Sequence, residues 1–200
     1  MSLVKTFKGD VVKDPTFARF LTSDWRAGLI WLPLRIYVGL QWLQAGEHKV
    51  GDPAWVSTGA ALKGYWANAV AIPAAPAKAA IAVDWYRSFL QFLLSAQTYV
   101  WFGKLVAYGE LLVGIALIIG AFTGIAAVFG GLMNWNYIMA GSASTNGLLF
   151  LCEVGLIVAW KVSGYIGADF FLLRWIGTPW GWGQQGQAVP EKRKSEAAAD

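Results

Sequence analysis

Residues 27–49 read AGLIWLPLRIYVGLQWLQAGEHK, an apolar run in which Arg35 is the only charge before the closing Glu47, His48 and Lys49. As a helix rising ~1.5 Å per residue, such a run can cross the ~30 Å of bilayer hydrocarbon. Three further stretches, Thr98–Gly120, Gly124–Gly141 and Gly147–Phe171, approach the same length. The expectation is an all-α protein, an integral membrane four-helix bundle over residues 27–176, with an extracytoplasmic helical segment, 50–97, between the first two spans. Residues 1–26 read as a cytoplasmic lead-in and 177–200 as a cytoplasmic Gly/Trp-rich and polar tail.

Composition agrees. The chain is 56% hydrophobic and only 14% charged, against ~25% charged for an ordinary soluble domain, and its mean hydropathy is +0.47. Aromatic residues gather near the span ends, among them Trp25, Trp31, Trp101, Trp175, Trp180 and Trp182, as interfacial belts require. No cleavable signal is visible in the first 26 residues. Lys5, Lys8, Lys13, Arg19 and Arg26 precede the first span, and Lys192, Arg193 and Lys194 follow the last. By the positive-inside rule both termini are cytoplasmic, and an even number of spans agrees. The protein is therefore expected in the cell membrane as a multi-pass protein in contact with lipid. No nucleic-acid motif appears. With one cysteine, Cys152, and one histidine, His48, the chain alone offers no disulfide, no cysteine-ligated iron–sulfur cluster and no bis-histidine haem site. No covalent cofactor and no metal site is implied.

Between the first two spans, Pro53–Trp66 reads as a short helix and Ile72–Pro76 as a rigid extended piece. Ala79–Ala96 places Val83, Tyr86, Phe89, Leu90 and Leu93 at helical spacing, with Asp84, Arg87 and Gln91 on a wetter face. That helix is expected to lie on the outer surface as a lid over the bundle, a partial fifth span being the other reading. Thr22, Ser23 and Asp24 carry the oxygens that start a helix. Pro33 is a candidate kink. The short turns Ala121–Thr123 and Ser142–Asn146 make neighbouring spans antiparallel.

Charges inside a membrane need partners, water or a role. Counting depth from the span ends places Arg35 and Glu110 both ~12 Å from the cytoplasmic side, so an ion pair between them is expected. The same counting brings Lys104, Glu153 and Asn134 to within ~11 Å of the outer boundary, near Glu47, His48 and Lys49. Lys161 is expected to snorkel to the inner interface. On the first span, Tyr37, Gln41, Gln44 and His48 form one stripe, and Arg35, Gly39, Trp42, Gly46 and Lys49 another. A wall of neutral donors and acceptors suits a quinone ring; it suits plain helix packing equally. His48 carries either proton transfer or simple interfacial placement.

Leu34–Gly39 with Ala45–Lys49, Gly109–Gly114 with Leu117–Gly124, the asparagine of the third span, and the Thr58–Trp66 run together resemble the DoxX family. The long outer segment is similar to that of its DoxD branch, the large subunit of thiosulfate:quinone oxidoreductase. The resemblance covers about residues 27–172. It implies a four-helix membrane subunit that passes electrons from thiosulfate, coupled to tetrathionate, to a quinone acceptor, with a second protein subunit as partner. Carried over, the family's arginine falls on Arg35, its Gly-Glu on Gly109 and Glu110, and its Asn on Asn134.

The candidate catalytic residues are therefore His48, Lys104, Glu110 and Glu153. Lys49, Lys104, Arg87 and Asn134 are the candidates for binding a sulfur anion, and Tyr37, Gln41 and Gln44 for the quinone, with Arg35 and Glu110 as a structural pair. The rival reading is a non-catalytic accessory or scaffold subunit of a larger respiratory or photosynthetic complex. A transporter is disfavoured by the lack of an inverted repeat.

Overall fold

The structure is a computed structural model and describes residues 14–176; the tail Trp180 and Trp182 and the basic residues before Asp14 and after Ile176 lie outside them. Among the described residues every regular element is helical. Helix α1 (Thr16–Ser23) leads, through a 3₁₀ turn at Trp25–Ala27, into α2 (Gly28–Val50). Asp24 caps that turn by accepting from Arg26 N at 2.9 Å, as the Thr-Ser-Asp signature suggests. Pro33 lies early in α2, which continues past it to Val50. The outer segment holds α3 (Pro53–Val56), α4 (Ala60–Val70) and α5 (Asp84–Ser95). Then follow α6 (Tyr99–Ile119), α7 (Thr123–Met139), α8 (Asn146–Val158), α9 (Trp160–Ser163) and α10 (Asp169–Ile176).

Three elements differ from the expectation. The helix expected over Pro53–Trp66 is two helices, because Gly59 takes a left-handed φ of 69°; a Cβ there would strike the backbone of Tyr99 and Val100. The outer amphipathic helix begins at Asp84 rather than Ala79, and it buries Tyr86, Leu90 and Leu93 while Val83 and Phe89 stay exposed. The fourth stretch is not one helix: it breaks after Val158 and again over 164–168 before α10. Asp169, the first residue of α10, anchors the chain after the second break. It is 1% exposed, and its two carboxylate oxygens accept from Phe122 N and Thr123 N at 2.5 and 2.8 Å, satisfying amides at the start of α7.

Among the described residues one helix, Tyr99–Ile119, is both long and apolar enough to cross a membrane, and Asn146–Val158 is a shorter apolar helix. Polarity is distributed inside out. Arg35, Glu110, Asn134 and Glu153 are buried to 1% exposure or less, while Leu112, Ile125, Phe129 and Leu151 are each more than half exposed. Val38, Trp42, Leu117, Ala127 and Leu156 form the bundle core. Leu62, Trp66, Ile81, Tyr86 and Leu90 form a second core outside it, between α4, α5 and the end of α7.

Close approach of α2 and α6 sets the register that positions everything else. Gly46 faces Leu111, where an added Cβ would lie 2.7 Å from the Leu111 Cα, and Gly114 faces Leu43. Gly39 faces Ile118. In this antiparallel register the first turns of α6 project past the end of α2 and pack on the outer segment: Gly103 lies against the Trp55 carbonyl, and the Trp66 and Phe102 rings are 5.6 Å apart.

Candidate functional site

That register separates Arg35 from Glu110. Depth counting had aligned the outer ends of the two helices, whereas α6 starts beyond α2, so Glu110 lies level with the last turns of α2. Arg35 is about 12 residues, or ~18 Å, further in. The expected ion pair is therefore absent. The Arg35 guanidinium instead donates to the carbonyls of Ser163 and Ile166 at 3.2 and 2.9 Å, packs over Gly120 and Gly167, and has Asp169 as its nearby negative charge. It ties the 163–169 link to the α6–α7 turn. Gly120, at φ 69°, leaves the room this needs.

Glu110 pairs with Lys49. Lys49 Nζ donates to Oε2 at 2.6 Å, and Tyr137 Oη donates to Oε1 at 2.6 Å. The Lys49 side chain is 16% exposed and that of Glu110 1%. The ammonium also lies 5.1 Å from the Trp55 ring centroid and 6.0 Å from that of Tyr137, positions in which ring faces attract a cation. One turn away, the second buried carboxylate has only neutral partners. Trp42 Nε1 donates to Glu153 Oε1 at 2.6 Å, and Asn134 Nδ2 donates to Oε2 at 2.8 Å. Gly130 makes space for this carboxylate; a Cβ there would come within 2.5 Å of Glu153 Oε1 and 3.0 Å of Trp42 Nε1.

Both clusters border one cavity of about 330 Å³. Lys49, Glu110 and Tyr137 line it together with Trp42 and Asn134, the two residues that bind Glu153. Gln41 enters from α2, Trp55 and Tyr65 from the outer helices, and Ser142, Thr145 and Asn146 from the α7–α8 link. Tyr65 is half-buried; its hydroxyl has no partner of normal hydrogen-bond geometry, and burial raises its phenol pKa, with nearby Ser142 opposing. A larger cleft of about 440 Å³ lies at the other end, but it is walled by Ile125, Val128, Ile157, Trp160 and Leu173, and the Asp169 oxygens at its edge are already engaged.

The expected site residues divide sharply. Glu110, Glu153, Asn134, Lys49 and Gln41 come together. Lys104 does not: it is exposed on the outer surface of α6, because the helix face that buries Gly103, Ala107 and Glu110 turns Lys104 away. Arg87 is held on α5 by Asp84 at 2.6 Å and by the Ile81 carbonyl. His48, Gln44 and Tyr37 are exposed on α2. Of the two stripes on α2, the one carrying Arg35, Gly39, Trp42, Gly46 and Lys49 faces the interior, since only its glycines permit contact with α6. Lys161 is exposed.

Three buried or half-buried residues that hold the site and the bundle together escaped the sequence reading. Trp42 was one aromatic among many, although its place between Gly39 and Gly46 on the small-residue stripe marked it. Tyr137 follows Asn134 by one helical turn, the spacing that puts both on one face. Asp169 was hidden inside an apparently continuous apolar run. Cys152 is a free, half-buried thiol, and among the described residues no three His, Cys, Asp or Glu side chains cluster as a metal set. Comparison of the chain with protein-family models, with curated proteins and with solved structures returns no match.

Proposed function

We propose that the chain is a four-span integral membrane protein with both termini cytoplasmic, and that its outer cavity is the quinone-reacting site of an oxidoreductase subunit of the DoxX and DoxD type. The spans would be α2, α6, α7 and the α8–α9 pair, with residues 51–97 outside. The membrane reading is supported by the buried charges and apolar exterior of the bundle, an arrangement that water would penalise and lipid favours.

The observation that carries the chemical reading is Glu110 held between Lys49 and Tyr137 at the wall of a cavity large enough for a small ligand, such sites holding ~300–1,000 Å³. A quinone takes up two electrons and, at its two oxygens, two protons. Lys49 is the proton-bearing group that can give a proton into that space and still donate an N–H to Glu110, whereas the single hydroxyl proton of Tyr137 is held by Glu110 and keeps its carboxylate in place. Lys49 stands in the last turn of α2, within reach of outer water that replaces the proton. The electrons would come from thiosulfate, two ions joining through a new S–S bond into tetrathionate and releasing two electrons. The cavity itself favours a neutral ligand over that dianion: Lys49 is already neutralised by Glu110, and Glu153 has only neutral partners. Sulfur-anion oxidation therefore falls to a second subunit or to a surface outside this cavity.

The accessory-subunit reading keeps one specific observation in its favour: Lys104, Arg87 and His48 do not converge on any anion site among the described residues. The deciding experiment is thiosulfate-dependent quinone reduction in native membranes lacking the chain and then restored with wild type, Glu110→Gln or Lys104→Gln. Wild type and Lys104→Gln are expected to restore activity, and Glu110→Gln, present at equal abundance, is not. Activity indifferent to deletion refutes the enzyme reading and leaves the scaffold.

A further inference from the structure

The wall of the outer cavity leaves two buried polar atoms unbonded, the Tyr65 hydroxyl and, on a fully buried residue, Asn134 Oδ1. Asn134 is fully buried, its Nδ2 is committed to Glu153 Oε2, and its Oδ1 has no partner. Trp42 Nε1 can only donate, so Glu153 accepts at Oε1, and an ionised Glu153 also accepts at Oε2 from the donor side of the amide. Oδ1 remains as the free group of a residue that lines the cavity. Buried acceptors of this kind are seldom left unpaired.

We propose that the ligand of this cavity presents an O–H to Asn134 Oδ1, so that the site binds the reduced, hydroquinone form of its quinone in preference to the oxidised form. The inference rests on the quinone reading above and goes beyond it by assigning the redox state that the site prefers. A quinone carbonyl only accepts, and against Oδ1 it would set lone pairs against lone pairs; a hydroquinone hydroxyl donates. Each oxygen of the Glu110 carboxylate already accepts one hydrogen bond, from Lys49 and from Tyr137, whereas Asn134 Oδ1 accepts none. The Tyr65 hydroxyl across the cavity can donate or accept, so it holds a second ring oxygen in either state without discriminating. Tighter binding of the reduced form raises the midpoint potential of the bound couple, by about 30 mV per tenfold preference for a two-electron change. The site thereby becomes a better electron acceptor than free quinone, at the cost of slower product release.

The test uses the purified full-length chain in lipid nanodiscs and three probes: decylubiquinone, decylubiquinol and the dimethyl ether of decylubiquinol, which keeps the shape of the reduced form but has no O–H. Dissociation constants are measured by titration calorimetry. Decylubiquinol is expected to bind roughly tenfold or more tightly than both other probes, the gain of one hydrogen bond to an otherwise unpaired acceptor. Asn134→Leu, checked for folding by thermal melting, is expected to abolish the preference; if it does not fold, the comparison of the three probes on the wild-type chain decides alone. Equal binding of quinol and quinone, or of quinol and its ether, overturns the inference and leaves the quinone site standing. Binding of none of the three overturns the quinone reading and this inference with it.

Discussion

Lys49 and Glu110 form one ion pair with unequal ends, and removing either end should show it. Glu110 lies nine residues before Ile119 and eleven after Tyr99 in α6, it is fully buried, and its short side chain cannot carry the carboxylate out to solvent. Lys49 is the penultimate residue of α2, its side chain is 16% exposed, and its long stem lets the ammonium turn outward. Lys49→Met leaves a fully buried carboxylate with only the Tyr137 hydrogen bond, which should cost about 3–5 kcal/mol, the penalty of an uncompensated buried charge. Glu110→Gln keeps an acceptor for Tyr137 and frees Lys49 to reach solvent, so the expected cost is about 1–3 kcal/mol, that of a broken charged hydrogen bond. The double variant replaces the pair with two neutral groups and should cost less than the two single losses added together, giving a coupling of ~2–3 kcal/mol. Equilibrium unfolding in mixed micelles, run as a double-mutant cycle, measures all four corners. Equal costs for the two single variants, or a coupling below ~0.5 kcal/mol, would refute the asymmetry and with it the placement of Glu110 deep in the bundle.

Two further outcomes test the packing and the outer segment. Gly46→Leu forces a side chain against the Leu111 backbone and should destabilise by about 1–3 kcal/mol through overpacking, whereas Gly64→Ala, with nothing within 4 Å of the new Cβ, should stabilise α4 by ~0.5–1 kcal/mol; unfolding midpoints of the two variants measure the contrast. Tyr86 donates to the Asn136 carbonyl and side-chain oxygen, and burial, with Tyr65 adding, pushes its phenol up to about 12. The folded value lies above the unfolded one of ~10, so its contribution is complete below pH ~10 and is lost as pH rises toward about 12; Tyr86→Phe should flatten that alkaline loss in a pH series of thermal melts.

The depth estimates and the structure part company at identifiable residues. Apolar run lengths placed α2, α6 and α7 within a few residues of their observed bounds, because helix length and the residues that end a helix are local properties. Glu153 and Asn134 were brought together correctly, since α7 and α8 are joined by a short link that leaves little freedom of register. The relation between α2 and α6 was not legible in the same way. Nearly 50 residues separate them, and their mutual height depends on which side chains allow contact: Gly39 and Gly46 against Gly114.

What the sequence determined by itself is therefore the all-helical class, the apolar runs, the buried identities of Arg35, Glu110, Asn134 and Glu153, and the two alternative faces of the first long helix. Only the tertiary structure decided which face turns inward, that Lys49 rather than Arg35 neutralises Glu110, that Lys104 and His48 stand outside the cavity, and that Asp169, after the second break in the last apolar run, caps α7. The physical reason is that helix periodicity fixes directions within one element, whereas the pairing of charges depends on axial register between elements, and that register is set by close contacts between residues far apart in the chain.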